Sequence, residues 1–462
     1  MKTLEEIKEH FPNIDLNEKY HDIFKIIESD DCYLNIVGSA GTGKSTLIKI
    51  LNYALSDYNV VTCATTGVAS ALLSESGISC TTLHSTFNLG AQDVFGTVIL
   101  KKPSEKTLRI IDNLDYLIID EVSMLSCDTF DYLITLIHNC RLDNSIPKII
   151  LLGDVGQLPP VVKSDDKRIT DYYNNTYGGK HYYFNAKYFS KLNFKTIIFD
   201  KVYRQDKDVK FKEILNRIRI GEPTDEDLMN LNSRVIDECE WEADHEDSIR
   251  IVTTNKDVQK FNDMYLDVLN SPLITLRAKI EGLFRDSQEY KSGLYPEFVN
   301  VKKGARVMIT RNDVNEPKMF VNGDIGTLKE IHLNDEKPYV TVELTDDNGN
   351  NFDVYVQEST TFLYDYNIQK MDDKIKIQPN VKGSYTNIPI KIAYASTVHK
   401  NQGKTIKKGM FDKGWWLAEN AVYVALSRFR KLEDLALAKP LKKSDIKVNK
   451  EALEFLHNHN YF

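Results

Sequence analysis

Nine consecutive residues, Gly38-Ser39-Ala40-Gly41-Thr42-Gly43-Lys44-Ser45-Thr46, constrain the fold more than any other part of the chain. An apolar run, Tyr33-Leu34-Asn35-Ile36-Val37, precedes them, and a helix-like Leu47-Ile48-Lys49-Ile50-Leu51 follows. Strand, glycine-rich turn and helix in that order match G-x-x-x-x-G-K-[ST], a loop that wraps phosphate. Its glycines let backbone N–H groups curl around phosphate oxygens without a clashing Cβ. The helix N-terminus adds partial positive charge, Lys44 reaches the terminal phosphates, and the Ser45 hydroxyl can ligate Mg²⁺. All nine residues are assigned to a nucleoside triphosphate site. A chance glycine turn carrying a lysine is the bland alternative, and the flanking strand and helix argue against it.

A chain of 462 residues exceeds one ordinary core, so two to four domains are expected. Hydrophobic content of 42% with 27% charged residues describes a globular protein. No apolar run approaches the roughly 18–20 residues of a membrane span, and the charged start of the chain carries no signal-peptide core. The six cysteines (Cys32, Cys63, Cys80, Cys127, Cys140, Cys239) are scattered without a C-x-x-C pair. They read as reduced thiols, which with the missing signal peptide points to a cytoplasmic-type compartment and not to secretion. A net charge of −8 excludes an unspecific polybasic binder. It leaves room for a nucleic-acid enzyme, because phosphate contacts depend on a local groove.

Buried-type strands recur through the first 200 residues, at 33–37, 59–65, 116–120, 148–153 and 196–200. Helical stretches separate them, the mark of an α/β fold with a parallel sheet. The pattern restarts at 248–254, 390–396 and 421–425, which predicts two RecA-like lobes with a cleft between them. From 273 to 385 the texture changes to short alternating runs, such as Ala305-Arg306-Val307-Met308-Ile309 and Tyr339-Val340-Thr341-Val342-Glu343-Leu344. Turn clusters at Asn322-Gly323-Asp324 and at 346–351 divide them, so a small antiparallel β-barrel is expected, inserted in the second lobe. The predicted domains are lobe one over 1–200, lobe two over 201–272 and 386–462, and the barrel over 273–385. A short insertion over 88–109 interrupts lobe one.

Three further elements supply chemistry. The strand Tyr116-Leu117-Ile118-Ile119 delivers Asp120 and Glu121 to the sheet's C-terminal edge, where α/β ligands bind. Asp120 suits a Mg²⁺ ion, and Glu121 suits orienting and deprotonating an attacking water. Gln157, in Gly153-Asp154-Val155-Gly156-Gln157-Leu158-Pro159-Pro160-Val161, can touch both that water and the γ-phosphate, with a plain turn as the alternative. Transition-state charge needs cations beyond Lys44, and Arg204 and Arg428, beside predicted strand ends, are the candidates. Each competes with a role as a surface ion pair.

In order along the chain, these blocks resemble the motif set of superfamily-one helicases. Besides those quoted, they are Ala64-Thr65-Thr66-Gly67-Val68-Ala69, Thr82-Leu83-His84-Ser85-Thr86-Phe87, Asp120-Glu121-Val122-Ser123-Met124, Tyr203-Arg204-Gln205, Thr397-Val398-His399-Lys400-Asn401-Gln402-Gly403 and Val424-Ala425-Leu426-Ser427-Arg428. The resemblance is closest to the petite-integration-frequency helicases and their RecD and Dda relatives, over roughly 38–437. It implies ATP and Mg²⁺ as cofactors and ATP-driven translocation on single-stranded DNA, 5′→3′, with unwinding. Roles in DNA replication, repair and recombination are implied with it. The implied partners are single-stranded and forked or tailed duplex DNA, with single-strand-binding or replication proteins beyond them, no membrane, and a monomeric state. By resemblance Gln402 and Gly403 join the nucleotide site. Thr65, Thr66, His84 and Ser85 touch DNA phosphates from lobe one, and Thr397, His399 and Lys400 from lobe two. Helix capping competes for the threonines, and a structural role for the histidines. The 88–109 insertion would hold a strand-separating wedge. The family's adenine-reading glutamine is replaced here by Tyr20, so Tyr203 becomes a candidate to stack on the base. Both tyrosines could equally be core aromatics.

Overall fold

The computed structural model describes residues 1–462 except 15, 30–31, 90–102, 163–165, 206–207, 238–247, 292, 316–318, 347–348, 372–373, 416 and 460–462. Two compact units emerge, the first built from Met1–Tyr203, Tyr364–Val381 and Asn449–Phe462, the second from Arg204–Leu363 and Lys382–Val448.

The first unit is organised by a parallel sheet of β1 (Tyr33–Gly38), β2 (Val60–Ala64), β3 (Cys80–Thr82), β4 (Tyr116–Asp120), β5 (Lys148–Gly153) and β6 (Phe194–Phe199). Their spatial order is β3-β2-β4-β5-β1-β6. The strands are apolar at nearly every position because both faces are covered, as parallel sheets require. Side chains alternate between faces. Leu117, Ile119, Ile149 and Leu151 meet Phe130, Ile134 and Ile137 on one side. Leu34, Ile36, Ile118, Ile150 and Leu152 meet Leu47, Ile48 and Leu51 of the helix Lys44–Ala54 on the other. Since every pair is parallel, Gly38, Ala64, Thr82, Asp120, Gly153 and Phe199 all end at one edge.

The second unit contains β7 (Ile249–Val252), then the antiparallel strands β8 (Ile274–Arg277), β9 (Lys279–Gly282), β10 (Phe298–Val301), β11 (Arg306–Ile309), β12 (Ile325–His332), β13 (Tyr339–Thr345) and β14 (Asn351–Gln357). After them come β15 (Ser359–Met371) and β16 (Lys374–Asn387), of which the stretch Tyr364–Val381 belongs to the first unit, then β17 (Ile390–Ile392), β18 (Ala395–Thr397), β19 (Gly409–Phe411) and β20 (Leu435–Leu437). The region expected as a barrel takes the form of a five-stranded sheet, β14-β13-β12-β11-β17, with the smaller sheets β10-β8 and β15-β16-β9. Val307, Ile309, Leu328, Val340, Val342, Val354 and Val356 form its core. A parallel sheet, β18-β7-β19-β20, completes the unit.

Three expectations are corrected. The single strand expected at 390–396 is two: Ala393 donates to the Arg306 carbonyl in the antiparallel sheet, and the next carbonyl, of Tyr394, accepts from Arg250 in the parallel one. The chain changes sheets between those residues. The strand expected at 421–425 is a helix, Ala421–Leu426, with all six residues buried. A segment apolar on every side has no periodicity to reveal its type. The C-terminal helix Lys450–Asn458, expected with lobe two, belongs to the first unit, where Ala452, Phe455 and Leu456 enter the core. The segment expected as a wedge, 88–109, runs at its end into the helix Glu105–Asn113, whose Ile110 and Ile111 are buried. The rest of that segment, 90–102, lies outside the described residues.

No helix among the described residues is long and apolar enough to cross a membrane.

Candidate functional site

The glycine loop begins where β1 meets its neighbour. A Cβ on Gly38 would lie 2.6 Å from Thr42 Oγ1 and 2.7 Å from Phe199 Cβ, so only glycine lets β1 turn against β6 here. Gly43 has φ +89°, the left-handed conformation that launches the helix at Lys44. Thr42 Oγ1 donates to the Ser39 carbonyl at 2.9 Å and braces the turn from inside. Lys44 Nζ donates to the carbonyls of Gly38 at 2.8 Å and Ser39 at 3.0 Å, which places the ammonium in the loop's hollow. Ser45 is exposed beside it. Tyr203 donates its N–H to the Gly41 carbonyl at 2.9 Å, and its ring, 47% exposed, passes by Gly43. Tyr20 is instead a core residue, 7% exposed and packed near Phe199, so it reads no base.

Asp120 ends β4 on the same edge and is buried. Burial, with the charge of Glu121 next to it, pushes its carboxyl up to about 7, against the opposing pull of the Glu121 N–H and Lys44. Glu121 holds a left-handed backbone, φ 52°. Its N–H donates to Asp120 Oδ1 at 2.9 Å, and its carbonyl accepts the Thr65 hydroxyl at 2.7 Å. Gln157 is buried after β5, and its amide donates to Asp154 Oδ2 at 3.4 Å. Lys44, Asp120, Glu121 and Gln157 thus all stand at the ends of β1, β4 and β5, three adjacent strands.

The second unit gathers its own cluster from three distant stretches. Arg204 donates to the carbonyls of Ser427 at 3.2 Å and Gly403 at 3.3 Å. Gln205, buried, donates to the carbonyls of Ser427 and Phe429. Arg428 is 1% exposed, with Nε on the Val424 carbonyl at 2.8 Å and one terminal nitrogen on Ser427 Oγ at 2.9 Å. Part of its donor capacity is therefore spent on its own turn. Gln402 is buried within the same group of segments.

Candidate phosphate contacts follow strand ends within each unit. Thr65 and Thr66 follow β2. Thr66 caps the helix Gly67–Glu75 by accepting from Ala69 N, the capping role that competes with a DNA contact. His84 and Ser85 follow β3, Ser85 exposed and His84 half-buried, with its imidazole held below the ordinary value by burial. In the second unit Thr397 ends β18, and its Oγ1 accepts from Lys400 N at 3.1 Å. Partial burial also holds the His399 imidazole below its usual value. Burial and the charges of Lys404 and Lys400 depress Lys391 well below the ordinary lysine value, so three lysines gather around this turn.

Comparison with known proteins identifies the arrangement. A model of the AAA domain matches residues 16–168. The chain is 29% identical over 95% of its length to the ATP-dependent DNA helicase Pif1 of Campylobacter jejuni, of which it covers 96%. It is 31% identical over 74% of its length to the yeast (Saccharomyces cerevisiae) helicase PIF1, a longer protein of which it spans 37%. The crystal structure of a Bacteroides Pif1 in complex with ADP-AlF4 superimposes with a TM-score of 0.83 at 27% identity, covering 97% of this chain and 98% of that one. The same Bacteroides protein bound to single-stranded DNA matches with a TM-score of 0.65 at 26% identity, over 97% and 98% of the two chains. The chain belongs to the Pif1 helicases.

Within this Pif1 helicase, three features were not legible in the sequence. Thr65 braces the carbonyl of Glu121, a contact between strand ends that only the β2–β4 pairing reveals. Gln205 ties two turns together, and its place beside Arg204 was the only available hint. Lys391 sits on β17, where the sequence pattern suggested a buried strand and not a cation.

Proposed function

We propose that this chain hydrolyses ATP to move 5′→3′ along single-stranded DNA and to separate duplex ahead of it. The observation that carries the reading is the single sheet edge on which a lysine loop, a paired carboxylate and an amide stand beside the candidate phosphate contacts of β2 and β3. Lys44 would neutralise the terminal phosphates, Glu121 would accept the proton of the attacking water, and Gln157 would orient that water. Arg204 directly follows Tyr203, which is hydrogen-bonded to the loop, and this continuity supports a role for Arg204 and Arg428 at the transferred phosphoryl group. Tyr203 would stack on the base, with Gln402 and Gly403 beside the nucleotide. Thr65, Thr66, His84, Ser85, Thr397, His399 and Lys400 would hold the DNA backbone, while the bases stay unread.

Ser45 and Asp120 are the residues that would hold Mg²⁺. The crowding of Asp120 and Glu121 fits this, since two adjacent carboxylates, one of them buried, gain most from a divalent cation. A bound Mg²⁺ would supply charge neutralisation at the phosphate oxygens.

Steady-state ATP hydrolysis, with and without a single-stranded oligonucleotide, tests the reading together with strand separation on a 5′-tailed duplex. Strong stimulation with unwinding is the expected result. Stimulation without unwinding would reduce the protein to a translocase, and equal rates with and without DNA would favour a nucleotide-gated binding module.

A further inference from the structure

Trp415 stands entirely in solvent, at 102% of its reference exposure, in the loop after β19. A tryptophan is on average among the more buried residues, and a large rigid aromatic left outside the core marks a contact surface. The loop that carries it is fixed. Asp412 N donates to the Ile251 carbonyl at 2.9 Å, Gly414 N donates to Asp412 Oδ1 at 3.1 Å, and Lys413 pairs with Asp445. Asp412 and Asp445 are thereby engaged within the loop's own framework. Gly414 takes φ +59°, the turn that lifts the next residue outward. Beside the indole stands exposed Lys439, its Nζ 5.7 Å from the ring centroid. The ammonium thus lies over one face of the indole, which leaves the opposite face for a base.

The sheet explains why this position matters. β18, β7, β19 and β20 are neighbours in that order and all parallel, so their C-terminal ends form one edge. Thr397, His399 and Lys400 leave the edge from β18. Trp415 leaves it four residues after β19 ends, and Lys439 two residues after β20 ends. Neighbouring strands are spaced by just under 5 Å, so β19 lies about 10 Å from β18. The edge thus carries a cationic turn at one end and an aromatic–lysine pair at the other.

We propose that Trp415 and Lys439 form a base-stacking step for an unpaired nucleotide, extending the second unit's single-strand track across the sheet edge. The indole would stack on one base, and Lys439 would hold the adjoining phosphate. Stacking tolerates any base, in keeping with a protein that reads no sequence. The inference rests on the DNA reading above, and its test separates the two.

Fluorescence anisotropy with a labelled deoxythymidine oligonucleotide, on the full chain, is the measurement. Trp415→Ala should weaken binding by roughly five- to a hundred-fold, the range for losing one stacked base. Trp415→Phe should restore most of it. Lys439→Ala should lower the slope of log affinity against log salt by about one contact. On an oligonucleotide whose sugars carry no bases, wild type and Trp415→Ala should bind alike, a signature that a merely structural residue would not give. ATP hydrolysis without DNA should be unchanged in all three variants, which also shows that they fold. If wild type binds the oligonucleotide and Trp415→Ala binds it equally, the stacking step is refuted while the DNA reading stands. If wild type itself does not bind, both fall.

Discussion

Glu121 sits in a backbone conformation that a residue with a Cβ adopts at a cost of roughly 1–2 kcal/mol, φ 52°. Such strain persists only where neighbours hold it, and the Thr65 hydroxyl on the Glu121 carbonyl is one such neighbour. Thr65→Val removes that hydrogen bond and keeps the shape. Turnover at saturating DNA should fall roughly ten- to a hundred-fold, because small misplacements of a reacting group are that expensive. KM for ATP should change little, and Thr65→Ser should recover the rate. Normal turnover with weaker DNA binding would return Thr65 to a phosphate contact alone. Lys44→Ala should cut hydrolysis by more than about a hundred-fold with the fold intact, since its ammonium touches loop carbonyls and no core. Arg204 and Arg428 should behave differently from each other. Arg428 is fully buried on the carbonyl of Val424, so Arg428→Ala should lose about 1.5–3 kcal/mol of stability as well as turnover. Half-buried Arg204 should lose turnover with little change in the urea midpoint. Equal midpoint shifts in the two variants would contradict this division.

At the scale of elements, legibility followed burial. β1, β4 and β5 are buried on both faces, and their uninterrupted apolar runs are readable from sequence. β11 and β13 are readable from their alternating sequence, although Met308 and Thr341 are buried as well as the valines beside them. β3, β19 and β20 have three residues each, too few for any period to show. The helix Ala421–Leu426 was misread for the opposite reason: its surface is apolar throughout. The nucleotide loop was legible because its glycines and lysine are demanded by local geometry. The contact of Thr65 with Glu121 and those of Gln205 with Ser427 and Phe429 were not, because each joins residues far apart in sequence. The same structure sharpens the test of the wedge. Phe87 and Leu89 are core residues, 1% and 3% exposed, so a Gly/Ser replacement must begin after them. Replacing 91–102 should spare DNA-stimulated ATP hydrolysis and strongly reduce unwinding of a 5′-tailed duplex. Undiminished unwinding would place strand separation elsewhere.

For the molecule as a whole, the path of the chain matters more than the count of its units. It leaves the first unit at Tyr203 and returns to it twice, over Tyr364–Val381 and from Asn449. On the first return, Ile377 joins the core, its N–H donating to Asn59 Oδ1 at 2.9 Å, while Asp365 pairs with Lys106. On the second, Glu451 accepts from His181 N at 3.0 Å, Tyr182 N at 3.4 Å and Asn185 Nδ2 at 2.8 Å. Phe455 stacks on Phe184 with centroids 4.3 Å apart, and Leu456 is wholly buried. The first unit therefore cannot complete its core until distant parts of the chain have been made. Ending the chain after Val448 should remove the burial of Phe455 and Leu456, roughly 3–6 kcal/mol before relaxation. It should also strip three N–H donors of their carboxylate acceptor, each of them a charge-assisted bond. Glu451→Ala should remove only the second of these contributions and destabilise less. Thermal unfolding followed by two probes decides it: proteolysis within 181–192 of the first unit, and protection of the antiparallel sheet in the second. The truncation should expose the former at temperatures where the latter remains protected. Simultaneous loss of both would mean that the two units unfold as one, and unchanged melting would mean that the C-terminal helix only rests on the surface.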